Sequence, residues 1–153
     1  MDKAYTCCVT GHRDIPEEKI PYVHSQLLQE LLHVMEGGYT HFISGFASGV
    51  DLIFAEIVSN LKRKYPITLE AAIPYSGRMN TPDQTFHRLL KECDIVRIHT
   101  DKYCKCCYMV RNRYMVDHST LVIAVHDGRK SGGTAATIRY AYQMRRIVRE
   151  IKL

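Results

Sequence analysis

Four short stretches set glycine beside cationic, hydroxyl or acidic side chains: TGHRD (residues 10–14), SGFASGVD (44–51), PYSGR (74–78) and HDGRKSGGT (126–134). The chemistry these residues share is recognition of an oxyanion. Small residues let a ligand approach the main chain, and the free N–H groups at a helix start attract phosphate. Ser44, Gly45, Ala47 and Gly49 lead into one helix-like pattern, and Gly132, Gly133 and Thr134 into another. Phosphate is expected on the backbone N–H groups of Gly45, Gly49, Gly133 and Thr134, with the Thr134 hydroxyl as a further donor. Arg13, after Gly11 and His12, is the cation best suited to a phosphate, because its planar fork makes bidentate contacts. Pro74 and Asp127 belong to the remaining two stretches. Neither glycine run is a Walker A loop or a G-x-G-x-x-G turn. Each stretch alone is also readable as turn chemistry; their convergence on one edge is the argument for a site.

Asp51 complicates a phosphate site, since a carboxylate repels the anion. It could cap the helix, meet ribose hydroxyls, or hold Arg13 or His12 in place. Glu56, further along the same helix, could face the same cleft. As acids able to stabilise an oxocarbenium-like sugar or activate water, Asp51 and Glu56 are the two candidates for catalysis.

The elements that must position these residues alternate. Residues 5–10, 41–44, 68–73, 94–99 and 120–125 read as strands, and 147–152 as an added edge strand. Residues 17–36, 49–63, 83–92, 106–117 and 133–145 read as helices. Pro21 falls in the first turns of the first helix, and Gly37 and Gly38 end it. Residues 76–82 read as a loop. The alternation predicts a single α/β domain over residues 1–153, Rossmann-like, with a mostly parallel sheet and helices on both faces. In such sheets ligands bind beyond the carboxyl ends of the strands, near a switch in strand order.

The 153 residues suit one domain with a full core, and 46% apolar content marks a globular chain. No run of about 18 apolar residues occurs, and the first residues lack the apolar core of a signal peptide. A cytoplasmic protein without membrane contact is expected. The net charge of +5 mildly favours anionic partners. Its excess gathers at Arg139, Arg145, Arg146 and Arg149 and between Lys102 and Arg113. Those positions read either as a solvated face or as contacts to the phosphates of a nucleotide or nucleic acid. Weak, salt-sensitive nucleic-acid binding is expected. The ten tyrosines are scattered along the chain and form no obvious stacking platform. Among six cysteines, Cys104, Cys106 and Cys107 cluster near His99 without a second ligand pair, so no metal is expected. No cofactor is expected either.

Together, VTGHRD (9–14), SGFASGVDLIFAE (44–56), RNRYMVDHSTLVIAV (111–125) and DGRKSGGTAATIRYA (127–141) resemble the SLOG superfamily. These Rossmann-like proteins include the Lonely Guy phosphoribohydrolases and the DNA-processing protein A family. The match looks nearest to the small, stand-alone YpsA-like members. The resemblance implies nucleotide or phosphate contact at Ser44, Gly45, Ala47, Gly49 and Asp51. It implies a helix beside the pocket at Arg111, Asn112, Arg113 and Met115, and a second phosphate loop at Gly132, Gly133 and Thr134. It also implies a homodimer formed through helices. Lonely Guy enzymes carry P-G-G-x-G-T-x-x-E, whose Glu works on the N-glycosidic bond. Here S-G-G-T-A-A-T-I follows, with Thr137 and Ile138 where an acid would be sought. The leading expectation is a sensor or regulator that binds a nucleotide derivative, ADP-ribose-like or a phosphorylated nucleoside. A nucleoside 5′-monophosphate N-glycosidase and a single-stranded DNA-binding protein are the alternatives.

Overall fold

The computed structural model, which describes residues 2–153, gathers the apolar runs into one sheet. In chain order the elements are β1 (Thr6–Gly11), α1 (Ile20–Glu36), β2 (His41–Ser44), α2 (Val50–Leu61), β3 (Thr68–Ile73), α3 (Gln84–Leu90), β4 (Ile95–Ile98), α4 (Cys107–Asp117), β5 (Leu121–His126), α5 (Gly133–Gln143) and β6 (Ile147–Lys152). The strand order is β4-β3-β2-β1-β5-β6, and every pairing is parallel.

Strand alternation decides the layers. Cys7, Val9, Phe42, Leu69 and Ile123 pack with Leu27 of α1, Phe54 of α2 and Phe86 of α3. Their neighbours Cys8, Ile43, Ala72 and Val122 turn the other way, onto Met115 and Val116 of α4 and Ala141 of α5. Helices therefore cover both faces, and each fully buried Leu, Ile or Phe contributes about 1.5–3 kcal/mol over an exposed one. From β1 the chain steps outward through β2, β3 and β4. It then crosses back along α4 to β5, on the opposite side of β1. The order reverses at β1/β5, so the loops leaving those two strands part and leave a crevice between them.

Local chemistry sets the ends. Pro21 lies in the first turn of α1, where its missing N–H has no helical partner to lose. A short 3₁₀ turn at Glu17–Lys19 precedes it, so the α-helix begins later than residue 17. The segment read as a loop holds a 3₁₀ turn at Ser76–Asn80. Asp83 then caps α3, its Oδ1 accepting from the N–H groups of Thr85 (2.9 Å) and Phe86 (3.4 Å). Arg145 takes a φ of 59° just after α5, and the chain turns directly into β6. No helix among the described residues is long and apolar enough to cross a membrane.

Candidate functional site

A cleft of about 380 Å³ opens at the β1/β5 crevice. The loop after β1 supplies Gly11, His12, Arg13 and Asp14; the turn into α2 supplies Ala47 and Asp51. Crossing helix α4 contributes Arg111, Asn112 and Met115, and the loop into α5 contributes Arg129 and residues 131–134. Three arginines and two aspartates thus face one cavity.

The three arginines differ in what they have left to give. Arg129 is bound to Asp127 (Nη2–Oδ2 2.6 Å) and reaches Asp14 at 3.4 Å. Its hydrogen bond holds the Asp127 carboxyl well below the usual range. Arg111 is 3% exposed. It donates from Nη1 to the carbonyls of Gly45 (2.5 Å) and Ala72 (3.1 Å), and from Nε to Asn112 Oδ1 (2.8 Å). It is a strut between β2, β3 and α4. Arg13 is exposed, and among the described residues its guanidinium N–H groups meet no acceptor; the group lies over the Tyr108 ring, 4.9 Å from the centroid. It is therefore the cleft arginine with its donors free for a ligand.

Helix α5 starts at the same cleft. Gly132, at φ 96°, is its N-cap and offers no side chain. The first N–H groups of the helix are thereby left for solvent or an anion, with the helix dipole favouring negative charge.

Asp51 is 8% exposed and forms part of the cleft wall. Its Oδ2 accepts from the Ala47 N–H at 3.2 Å. Burial pushes its pKa up to about 6, against the opposing pull of Arg111 and of that backbone donor. His12 is also buried. Its Nε2 lies 3.2 Å from Asp127 Oδ1 and 3.3 Å from the Asp127 N–H. Burial, reinforced by Arg129, disfavours the imidazolium, so the backbone N–H donating to a neutral ring is the contact that persists.

The opening glycines have a different task from the one their sequence suggests. Gly49 stands at φ 81°, and a Cβ there would fall 2.5 Å from the His12 carbonyl oxygen. A Cβ on Gly45 would lie 2.8 Å from both Arg111 Nη1 and Asp51 Oδ2. Neither lines the cleft: Gly49 lets the β1 and β2 loops pack backbone to backbone, and Gly45 makes room for the Arg111 strut. Ser44 is likewise internal, its hydroxyl donating to the Asp51 carbonyl at 2.8 Å.

Three further expected positions, Pro74, Glu56 and Asp127, lie off the cleft. The β3 end sits two strands from the switch point, and the Pro74 carbonyl accepts from the Thr100 hydroxyl. The expected convergence therefore reduces to three strand ends, those of β1, β2 and β5. Glu56 turns toward α3, where Arg88 binds both its oxygens at 3.0 and 3.1 Å, which removes it from the catalytic candidates. Asp127 is taken up by Arg129 outside the lining. The structure brings together Gly11, His12, Arg13, Ala47, Asp51, Arg111, Asn112, Gly132, Gly133 and Thr134.

Arg129, Ser131 and Asp14 were missed as site residues; their signal was placement inside the glycine-bearing stretches. The tyrosines are also less scattered than their numbering. Tyr75 lies 5.4 Å from Tyr103 and 6.3 Å from Tyr108, ring to ring, forming an aromatic cluster beside Arg13. Of the cysteines, Cys104 and Cys106 place their sulfurs 3.5 Å apart, and Cys107 is buried.

Comparison with known proteins agrees with this architecture. The chain is 26% identical to a UPF0398 protein of Ligilactobacillus salivarius over 151 residues, covering 89% of this chain and 80% of that protein. It is 31% identical over 140 residues to the uncharacterized SPbeta prophage-derived protein YoqJ of Bacillus subtilis, covering 76% and 80% of the two chains. Among solved structures, DNA processing protein A from Helicobacter pylori superposes with a TM-score of 0.72 at 19% identity, covering 99% of this chain and 67% of that one. The Streptococcus pneumoniae protein of the same name gives 0.73 at 18%, over 99% and 51%. At these identities the structural likeness establishes the fold alone. Residues 7–150 match the YspA SLOG family, and the chain belongs to it.

Proposed function

We propose that the protein binds a phosphate-bearing nucleotide derivative, ADP-ribose-like or a phosphorylated nucleoside, in the β1/β5 cleft and acts as a sensor or regulator. Arg13 carries this reading: a guanidinium without an acceptor among the described residues lines the same cavity as the uncapped start of α5. The phosphate meets Arg13 and the N–H groups of Gly133 and Thr134, and Asp51 is placed to meet ribose hydroxyls. Binding rather than hydrolysis is supported by the absence of Glu after Gly133–Thr134 and by the engagement of Glu56 with Arg88.

Native mass spectrometry of protein purified from cells tests the reading directly, through a co-purified nucleotide. Calorimetry with ADP-ribose and AMP then compares the parent with Arg13→Ala and with the exposed control Lys64→Ala. Arg13→Ala binding every ligand as tightly as the parent defeats the proposal.

Single-stranded nucleic-acid binding is the second reading, favoured by the Tyr75–Tyr103–Tyr108 cluster beside Arg13. Aromatic rings flanked by cations stack bases without sequence preference. Helicobacter pylori DNA processing protein A, which shares the fold, binds single-stranded DNA. Sub-micromolar binding of an oligonucleotide that survives physiological salt would put this reading first; fading with salt leaves it a weak electrostatic attraction.

A further inference from the structure

The phosphate cleft does not end at the start of α5. A second cavity of about 340 Å³ runs between α4 and α5, and Asn112, Gly132 and Gly133 border both. Its walls are of another character. Tyr108 and Met109 of α4 face Ala136 and Tyr140 of α5. The polar groups there are largely turned away or occupied. The Thr137 hydroxyl donates to the Gly133 carbonyl at 2.8 Å. The Tyr140 hydroxyl donates to Asp117 at 2.6 Å, while its ring carries the Arg113 guanidinium 4.8 Å from the centroid.

Between the two cavities lies a saddle made by Gly133 and Asn112. Among the described residues outside its chain neighbours and its own helix backbone, a Cβ on Gly133 would meet only Asn112 Nδ2, at 4.0 Å, and its φ is not one that requires glycine. Neither backbone strain nor packing explains a glycine at that helix position, whereas an open passage does. Asn112 Oδ1 is held by the Arg111 Nε–H, a group that can only donate. The amide therefore presents its Nδ2 donors at the saddle.

We propose that the α4–α5 groove is the base subsite of the nucleotide site, taking a purine ring from a ligand whose phosphate lies in the cleft. This inference rests on the phosphate-binding reading. Flat apolar walls suit a stacked ring, and the two connected cavities together fall within the roughly 300–1,000 Å³ usual for ligand pockets. The donors at the edge, Asn112 Nδ2 with Lys105 and Arg113 at the rim, match the acceptor that every purine carries at N7. A sugar phosphate alone would leave the groove empty.

The test is calorimetry of the intact chain with ribose 5-phosphate, AMP and GMP. The nucleotides are expected to bind at least about tenfold tighter than ribose 5-phosphate, the worth of one stacked base. Ala136→Phe fills the groove from an exposed helix position. It is expected to bring AMP and GMP to within about twofold of ribose 5-phosphate, leaving the melting temperature and ribose 5-phosphate affinity unchanged. Equal affinity of the parent for all three ligands overturns the base subsite while leaving the phosphate site standing. Binding of none of them overturns both. Retained tight AMP and GMP binding in Ala136→Phe places the base elsewhere. A shift in sedimentation of the unliganded variant, marking the groove as a seat for a second copy, overturns it too.

Discussion

Asp51→Asn turns the burial of the cleft carboxylate into a measurable pH dependence. In the folded protein Asp51 binds its proton more tightly than an unfolded aspartate does, with its pKa at about 6 against a reference of 3.8. Stability from this residue is therefore fully present below 3.8 and lost as the pH rises through about 6. At 1.36 kcal/mol per pKa unit, the whole gap corresponds to about 3 kcal/mol, of which about 2 kcal/mol is lost to the parent between pH 4 and pH 7.5, since an unfolded aspartate is already more than half ionised at pH 4. Asparagine is nearly isosteric and can still accept from the Ala47 N–H, but it does not titrate. Whatever fixed cost the amide brings beside Arg111, the difference between variant and parent must move by about 2 kcal/mol in the variant's favour over that range. All other titrating groups are common to both proteins and cancel to first order. Urea unfolding of parent and variant at half-unit pH steps measures the difference directly. A difference that stays constant to within about 0.5 kcal/mol would refute the reasoning, because the ionised carboxylate would then lose nothing on folding.

Arg13→Ala should weaken binding of a phosphate-bearing ligand by about 1.5–3 kcal/mol, typical of a charge-assisted bond, without lowering the melting temperature; calorimetry and a thermal melt separate the two. Gly49→Val should cost about 3 kcal/mol or more in urea unfolding, since it combines a φ of 81° with a Cβ driven against the His12 carbonyl. Lost affinity in that variant would therefore say nothing about phosphate contact. Glu70 is buried with His41 Nε2 at 2.7 Å and the Tyr114 hydroxyl at 2.5 Å. Burial would raise its pKa, but these partners outweigh it and hold the carboxylate ionised. Its contribution is present above the reference value of 4.5 and fades as the pH falls through its lower folded pKa. Glu70→Gln should cost about 1–3 kcal/mol at pH 7, less at pH 3.5, in the same unfolding assay.

The layout of this protein follows from local pattern. Period-2 apolar runs such as residues 68–73 and period-3.6 runs such as those of α1 are properties of neighbouring residues, so both the element order and the parallel sheet were legible in the chain. The edge strand β6 was legible for the same reason, and the match of four motifs in order located the family. What belongs to the cleft was decided by strand order, which no local pattern encodes. Because β1 and β5 are neighbours, HDGRKSGGT meets TGHRD across more than a hundred residues, while PYSGR is carried two strands away. The same distinction separates the glycines. A glycine in a sequence says that a side chain is unwelcome, not what would collide with it. At Gly49 the obstacle is the backbone of His12, and at Gly45 it is Arg111 and Asp51. At Gly133 an added Cβ would meet, outside its chain neighbours and its own helix backbone, only Asn112 Nδ2 at 4.0 Å. Only tertiary packing tells these apart, because His12, Arg111 and Asn112, which would meet these Cβ atoms, come from segments distant in the chain.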